Sequence, residues 1–234
     1  MRGSEDALVD VPCGDPAAVA TPIVVAVEVV SDAICPWCYV GKRRLEAALA
    51  LLPAGVTVDI TWLPFELNPD MPKDGVERDD YRRRKFGSLE RSRALDKQVA
   101  AVAAGEGIAM RHELMQRTPN TFDAHRLIWL AKQQGVQDRL VEALFRGYFV
   151  EGRDIGDHDI LIELASSVGI ADARARRMLA GDEGVAEVAA LAQAQVRRGV
   201  SGVPTFVIEN SQAFSGAQPA DFIAEQLLAV ARDK

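Results

Sequence analysis

Two cysteines that directly follow an apolar, β-branched segment constrain the fold of this chain more than any other feature. Residues 23–30 (IVVAVEVV) are rich in β-branched side chains without strict alternation, which predicts a central strand covered on both faces. The chain continues with SDAI and, at residues 35–38, with CPWC. Residues 39–52 then carry apolar side chains at helical spacing. The cysteine pair is therefore predicted at a strand-to-helix junction.

The start of a helix is a favourable place for disulfide chemistry. If Cys35 caps the helix and Pro36 is its first residue, the proline loses no hydrogen bond and unpaired backbone N–H groups face the Cys35 sulfur. These groups favour the thiolate, which is the form of cysteine that attacks a disulfide. Cys38 lies three residues on, about 5–6 Å away, within reach of a disulfide bond. In this arrangement Cys35 would attack a substrate disulfide and Cys38 would displace the substrate, and the reverse direction is equally available.

The remainder of the chain predicts an α/β domain interrupted by helices. Residues 56–63 (VTVDITWL) resume a β pattern after the first helix, and residues 203–208, 213–214 and 219–231 predict a closing strand, strand and helix. From about residue 75 to residue 199 the composition changes to Ala, Leu, Arg and Glu, with room for six or seven helices. We predict three parts: a loose tail over 1–21, a discontinuous domain over 22–70 and 185–234, and an inserted helical domain over 71–184.

A proline at the mouth of the late strand is the second feature that points to this chemistry. Pro204, within GVPTFVI, removes a backbone donor and is tolerated there at a sheet edge or after a cis peptide bond. If this strand start faces Cys35, the free backbone groups of Val203 could pair with an extended peptide or with glutathione, while Pro204 packs on the disulfide.

Composition excludes several classes of function. The 234 residues carry a formal net charge of −7, which leaves no overall positive field for a nucleic acid. No apolar run approaches the about 18 residues of a membrane span, and the acidic start lacks the pattern of a secretory signal, so we expect a cytoplasmic protein without a membrane partner. Cys13 in the acidic tail is interpreted as a solvent-exposed thiol without function.

Other interpretations of these residues remain open. A zinc site would need two ligands besides the cysteine pair, and only Cys13 and the scattered His112, His125 and His158 are available, so no metal is predicted. A cysteine hydrolase would explain only one of the two cysteines. His125 is interpreted as a packed or surface residue that could line the cleft. Residues 81–86 (YRRRKF) are interpreted as a solvated helix paired with Asp79 and Asp80, with an anion site for glutathione as the minority interpretation.

Several motifs together resemble the DsbA-like thioredoxin superfamily, and particularly the FrnE-type dithiol-disulfide isomerases. Besides CPWC and GVPTFVI, they are Ser31-Asp32, residues 64–69 (PFELNP), residues 119–121 (PNT) and residues 124–126 (AHR), and the resemblance spans residues 23–233. It implies a thioredoxin fold with a large all-helical insertion, Cys35 as the nucleophile, Cys38 as the resolving cysteine and a cis Pro204. The substrate-binding residues it implies are Pro36, Trp37, Val203, Pro204, Asn68 and Asn120. A second cysteine pair found in some FrnE-type proteins is absent, because no cysteine follows Cys38.

The leading hypothesis is therefore a thiol-disulfide oxidoreductase or isomerase that acts on a disulfide-containing protein or a small-molecule thiol substrate. It requires no metal or organic cofactor, with glutathione as a candidate co-substrate. The alternative, from the same superfamily, is a glutathione-dependent isomerase or transferase of the kappa or 2-hydroxychromene-2-carboxylate isomerase type. A third interpretation makes the helical block a partner-binding module with an inert cysteine pair. The redox direction and the oligomeric state stay open at this point.

Overall fold

A four-stranded sheet forms the centre of the protein. The structure is a computed structural model that describes residues 22–234, so the predicted tail and Cys13 lie outside the described residues. From one edge to the other, the strands are β2 (Val56–Pro64), β1 (Ile23–Ser31), β5 (Thr205–Ile208) and β6 (Gln212–Ser215). The two inner strands are antiparallel to each other, β1 is parallel to β2, and β5 is antiparallel to β6.

Strand β1 is central, as its composition predicts, but only part of it is buried on both faces. Val24 is 50% exposed, so the first half of the strand alternates between buried and open positions. Val29, Val30 and Ser31 are buried in succession, and only this end, which leads to the cysteine pair, is covered on both faces. The prediction of two covered faces was wrong for the first half, because a β-branched run does not show where the neighbouring helices stop.

One helix follows the first strand, one ends the chain, and the others lie in the middle of the sequence. Helix α1 (Pro36–Ala50) packs against α9 (Ala220–Arg232), and α9 also contacts β1. None of the helices within residues 22–234 is long and apolar enough to cross a membrane. Between β2 and β5 lie seven α-helices: α2 (Arg78–Phe86), α3 (Leu89–Gly105), α4 (Phe122–Gln133), α5 (Gln137–Phe149), α6 (His158–Ser167), α7 (Asp172–Ala180) and α8 (Val185–Arg197).

The helical segment also holds a small strand pair that the sequence did not predict. Strands β3 (Val76–Glu77) and β4 (Arg117–Thr118) are antiparallel and two residues long, which is too short to show a β period. Helices α4, α5 and α8 contact β2, so the helical segment packs directly on the sheet. The fold class is confirmed, while the domain boundaries at residues 70 and 185 stay a prediction.

An aromatic cluster joins the helical segment to α1 and β2. Phe145 on α5 stacks on Tyr39 of α1 at 5.1 Å between ring centroids and meets the edge of Trp62 on β2 at 6.3 Å. Phe149, one turn along α5, lies 6.1 Å from Tyr39. All four side chains are buried, and such contacts stabilise beyond the area that they bury. The helical segment is therefore held firmly against the helix that carries both cysteines.

We expect Phe145→Ala to lower the free energy of unfolding by about 3–5 kcal/mol, because it leaves a cavity among three buried aromatic rings. Urea unfolding followed by circular dichroism measures this loss. Val196→Ala, at a position 62% exposed on α8, is the control and should change the same quantity by less than about 0.5 kcal/mol. Equal losses in the two variants would show that the cluster does not stabilise the fold.

Candidate active site

The cysteine pair lies at the predicted junction between strand and helix. Cys35 is the N-cap residue of α1, with extended backbone (φ −89°, ψ 112°), and Pro36 follows in the first turn, where a missing N–H costs nothing. The backbone N–H groups of Cys38 and Tyr39 donate to the Cys35 carbonyl at 3.0 and 3.4 Å. Both cysteines are free thiols. The amino terminus of α1 therefore presents its positive end beside the Cys35 sulfur.

The sulfur of Cys35 faces the start of β5. Its Sγ lies 3.6 Å from the carbonyl oxygen of Val203, and the Val203–Pro204 peptide bond is cis. Pro204 is buried and packs against α1 at Gly41, where an added Cβ would lie only 3.0 Å from the proline Cγ. A glycine at this position lets helix and strand approach closely. Two segments separated by about 170 residues thus meet at one sulfur atom.

Cys38 lies in a different environment. Its side chain is fully buried. Burial, followed by the hydrogen bond with Cys35 and the charge of that sulfur, raises the pKa of the Cys38 thiol well above its ordinary value, while Ser31 and the Asp32 backbone oppose this more weakly. Cys38 therefore holds its proton at neutral pH.

A buried carboxylate ties together the loops around the pair. Asp32, fully buried after β1, accepts hydrogen bonds from the backbone N–H of Leu67 at 2.8 Å and of Ile34 at 3.4 Å. His125 of α4 lies 3.6 Å from the same carboxylate and 3.1 Å from the carbonyl oxygen of Phe65. The motifs SDAI, PFELNP and AHR, which are distant in sequence, converge here. His125 is therefore a buried residue that is hydrogen-bonded within this cluster around Asp32.

A cavity of about 420 Å³ opens beside Cys35 and has the size of a small-molecule site. One wall contains Cys35, Pro36, Trp37 and Val203, so three of the predicted substrate-binding residues line it. Trp37 is 42% exposed, which leaves its ring available for contact. The opposite wall comes from helices α2 and α3, to which the sequence pointed only through the minority interpretation of residues 81–86 as an anion site.

The two predicted asparagines have different positions. Asn68 accepts a hydrogen bond from the Tyr81 hydroxyl at 2.7 Å. Tyr81 lines the cavity and Asn68 does not, so Asn68 contacts the cavity wall from outside. Asn120 donates to the Met71 carbonyl at 2.8 Å and accepts from the Phe122 N–H at 2.9 Å. The Asn120 amide therefore joins the segment at Met71 to the start of α4, and the structure does not bring this residue to the Cys35 cavity.

The basic segment 81–86 is only partly solvated. Arg83 pairs with Asp80 at 2.7 Å on the exposed face of α2, in line with the predicted paired helix. Arg82 and Lys85 face the other way and line the Cys35 cavity together with Arg78. Their spacing of i, i+4 and i+7 places all three on one helix face, which is the sequence signal that could have identified this wall.

The three histidines lie apart. His112 is 4.0 Å from Asp96, His125 lies beside Phe65, and His158 contacts Asp123 at 2.7 Å. In the described part of the chain, no group of three or more His, Cys, Asp or Glu side chains is placed to hold a metal ion.

We expect iodoacetamide at neutral pH to modify Cys35 of the reduced protein and to leave Cys38 unmodified. Cys38 is fully buried and its raised pKa keeps it protonated, whereas the thiolate is the species that reacts. Peptide mass mapping measures each site separately and keeps Cys13 apart from the pair. Faster modification of Cys38 than of Cys35 would contradict the assignment of the two thiols.

Comparison with known proteins agrees with this geometry. A family model described as a DSBA-like thioredoxin domain matches residues 26–228. The probable DsbA oxidoreductase from Streptomyces coelicolor is 37% identical, with 90% of this chain and 91% of that chain covered at a TM-score of 0.81. Protein YwbO of Bacillus subtilis is 28% identical over 185 residues, 79% of this chain and 86% of that protein. A 2-hydroxychromene-2-carboxylate isomerase shares the fold, at 14% identity, a TM-score of 0.65 and 89% and 97% coverage. The chain belongs to the DSBA-like thioredoxin domain family.

Proposed function

We propose that the protein is a thiol-disulfide oxidoreductase that exchanges disulfides through Cys35 and Cys38. One observation carries this proposal: Cys35 lines an open cavity at the amino terminus of α1, and Cys38 lies buried within the same helix turn. Cys35 borders the cavity, whereas Cys38 does not line it and its raised pKa keeps it protonated, which suits a nucleophile and a resolving thiol. Family membership supports the same chemistry.

Exchange proceeds in two steps in the reduced protein. The Cys35 thiolate attacks one sulfur of the substrate disulfide, a mixed disulfide forms, and the first substrate thiol leaves. Cys38 then gives up its proton and attacks the Cys35 sulfur, so that the second substrate thiol leaves and an intramolecular disulfide forms. The substrate gains two electrons from the cysteine pair and two protons, one from Cys38 and one that the first leaving thiolate takes from water. The reverse sequence oxidises a dithiol substrate.

The cavity supplies the groups that would hold the substrate. Val203 offers its main chain beside the Cys35 sulfur, and Trp37 offers an aromatic surface at the rim. Pro36 lies in the first turn of α1, between Cys35 and Trp37. The reaction needs no metal or organic cofactor, and a small thiol such as glutathione can serve as co-substrate that restores the reduced pair.

The alternative is a glutathione-dependent isomerase or transferase, and the fold shared with 2-hydroxychromene-2-carboxylate isomerase favours it as a second candidate. Enzymes of that type usually have serine at the nucleophile position, whereas this chain has Cys35 followed by Cys38. Such an isomerase would turn over a chromene substrate with glutathione, and the reaction would not depend on Cys38.

We expect Cys35→Ser to lower the rate of insulin reduction in the presence of dithiothreitol by about 100-fold or more, because the attacking sulfur is lost. Cys38→Ser should accumulate the mixed disulfide with substrate, visible as a mass shift under non-reducing conditions. Cys13→Ser is the matched control and should keep the full rate. An unchanged rate in Cys35→Ser would overturn the proposal.

A further inference from the structure

The wall of the cavity opposite Cys35 is positively charged. Its cationic residues are Arg78, Arg82 and Lys85, all on α2. Asp96 of α3 is the one carboxylate among the lining residues of the described chain. This wall therefore has an excess of two positive charges, within a protein whose formal net charge is −7. A local field of opposite sign to the whole molecule indicates selection for an anionic ligand.

The Asp96 carboxylate already pairs with both arginines of this wall. Arg78 Nη2 lies 2.9 Å from one oxygen of Asp96, and Arg82 Nη2 bonds to the other oxygen. His112 lies 4.0 Å from Asp96, but burial lowers the pKa of this imidazole, so it is neutral at pH 7 and adds no charge. One carboxylate therefore balances only one of the two guanidinium groups.

Arg82 is held rigidly in this wall. Its Nε donates to the Ser92 hydroxyl at 2.6 Å, and its guanidinium lies 4.3 Å from the centroid of the Phe86 ring. Burial lowers the pKa of Arg82, and Asp96 only partly compensates. A desolvated guanidinium with an incomplete counter-charge gains free energy when an anion enters the cavity.

Lys85 extends the charge to the exposed rim. Its Nζ lies 2.6 Å from the Tyr81 hydroxyl oxygen and 5.1 Å from the centroid of the same ring. Within residues 22–234 the polar contact of this ammonium group is with the Tyr81 hydroxyl and not with a carboxylate. It is therefore the cation of the wall that can most easily pair with a carboxylate in a ligand.

We propose that the disulfide exchanged by this protein carries carboxylate groups, which Lys85 and Arg82 bind while Cys35 attacks the sulfur. The proposal rests on the function proposed above and specifies its substrate class. Attack by a thiolate on an anionic disulfide brings like charges together, and the cationic wall offsets that repulsion. The exchange itself is the two-step reaction given above, in which two electrons pass from the cysteine pair to the disulfide.

The test compares three small aliphatic disulfides as oxidants of the reduced protein: dianionic 3,3′-dithiodipropionate, neutral 2-hydroxyethyl disulfide and dicationic cystamine. Lys85→Gln should lower the rate with the dianionic probe about fivefold, the effect of losing one solvent-exposed charge pair. It should leave the neutral probe within about twofold and raise the rate with cystamine. Lys85→Arg should restore the wild-type pattern.

The matched control is Arg83→Gln, which removes the same charge from the exposed face of the same helix. It should change none of the three rates by more than about twofold, since Arg83 does not line the cavity. Raising NaCl from about 0.05 to about 0.5 M should slow only the dianionic probe in the wild-type protein, because salt screens the attraction.

The carboxylates can belong to a small-molecule disulfide or to an acidic polypeptide, and two arms of the experiment distinguish these sources. One arm uses the small dianionic probe, and the other uses two cystine-linked peptides that carry either Asp or Lys beside each cysteine. The cavity volume of about 420 Å³ predicts that Lys85→Gln has the larger effect in the small-molecule arm. A larger effect with the Asp peptide would identify an acidic polypeptide as the source of the same chemistry.

Equal losses for all three small probes in Lys85→Gln, or equal effects of Lys85→Gln and Arg83→Gln, would overturn the charge selection. Failure of the wild-type protein to react with any disulfide is a separate result, because it would overturn the proposed function itself.

Discussion

The carboxylate of Asp32 is the contact on which the geometry of the cysteine pair depends. It is fully buried and accepts backbone hydrogen bonds from both Ile34 and Leu67, so it holds the loop before Cys35 against the loop after β2. A buried carboxylate is tolerated only where such bonds replace water, and removal of one partner would leave the other unsatisfied. Because this contact orients the start of α1, the Cys35 sulfur meets the Val203 carbonyl and Cys38 stays inside.

The helical segment acts as more than a cover for the sheet. The aromatic cluster around Phe145 joins α5 to α1, and the ion pair between Arg44 and Glu106 at 2.6 Å joins α1 to the end of α3. Through these contacts the wall of α2 and α3 is held at a defined position opposite the sulfur. The sheet and α1 supply the reactive groups of the cavity, and the helical segment supplies its charge.

Much of the fold could be predicted from local patterns. The period of the apolar residues located β1, α1, β2 and the closing β5-β6-α9 unit, because each element buries a face with its own period. The short β3-β4 pair could not be predicted, since two residues carry no period. Asn120 was expected near the substrate from a motif alone, and the structure places it at the start of α4 instead, where Met71 and Phe122 use its amide.

The chemistry that the pair can perform follows from local sequence, because the helix start and the spacing of Cys35 and Cys38 are properties of a few consecutive residues. Local sequence also identified Pro204 as an unusual strand residue. The residues that stand opposite the sulfur are set by packing between distant segments. The favoured interpretation placed Arg82 and Lys85 on a solvated helix, with an anion site as the minority interpretation. Their place in the cavity depends on how α2 packs near residues more than forty positions away in the chain. Contacts between distant segments depend on the packing of the whole chain, so the spacing of apolar residues within one segment does not predict them.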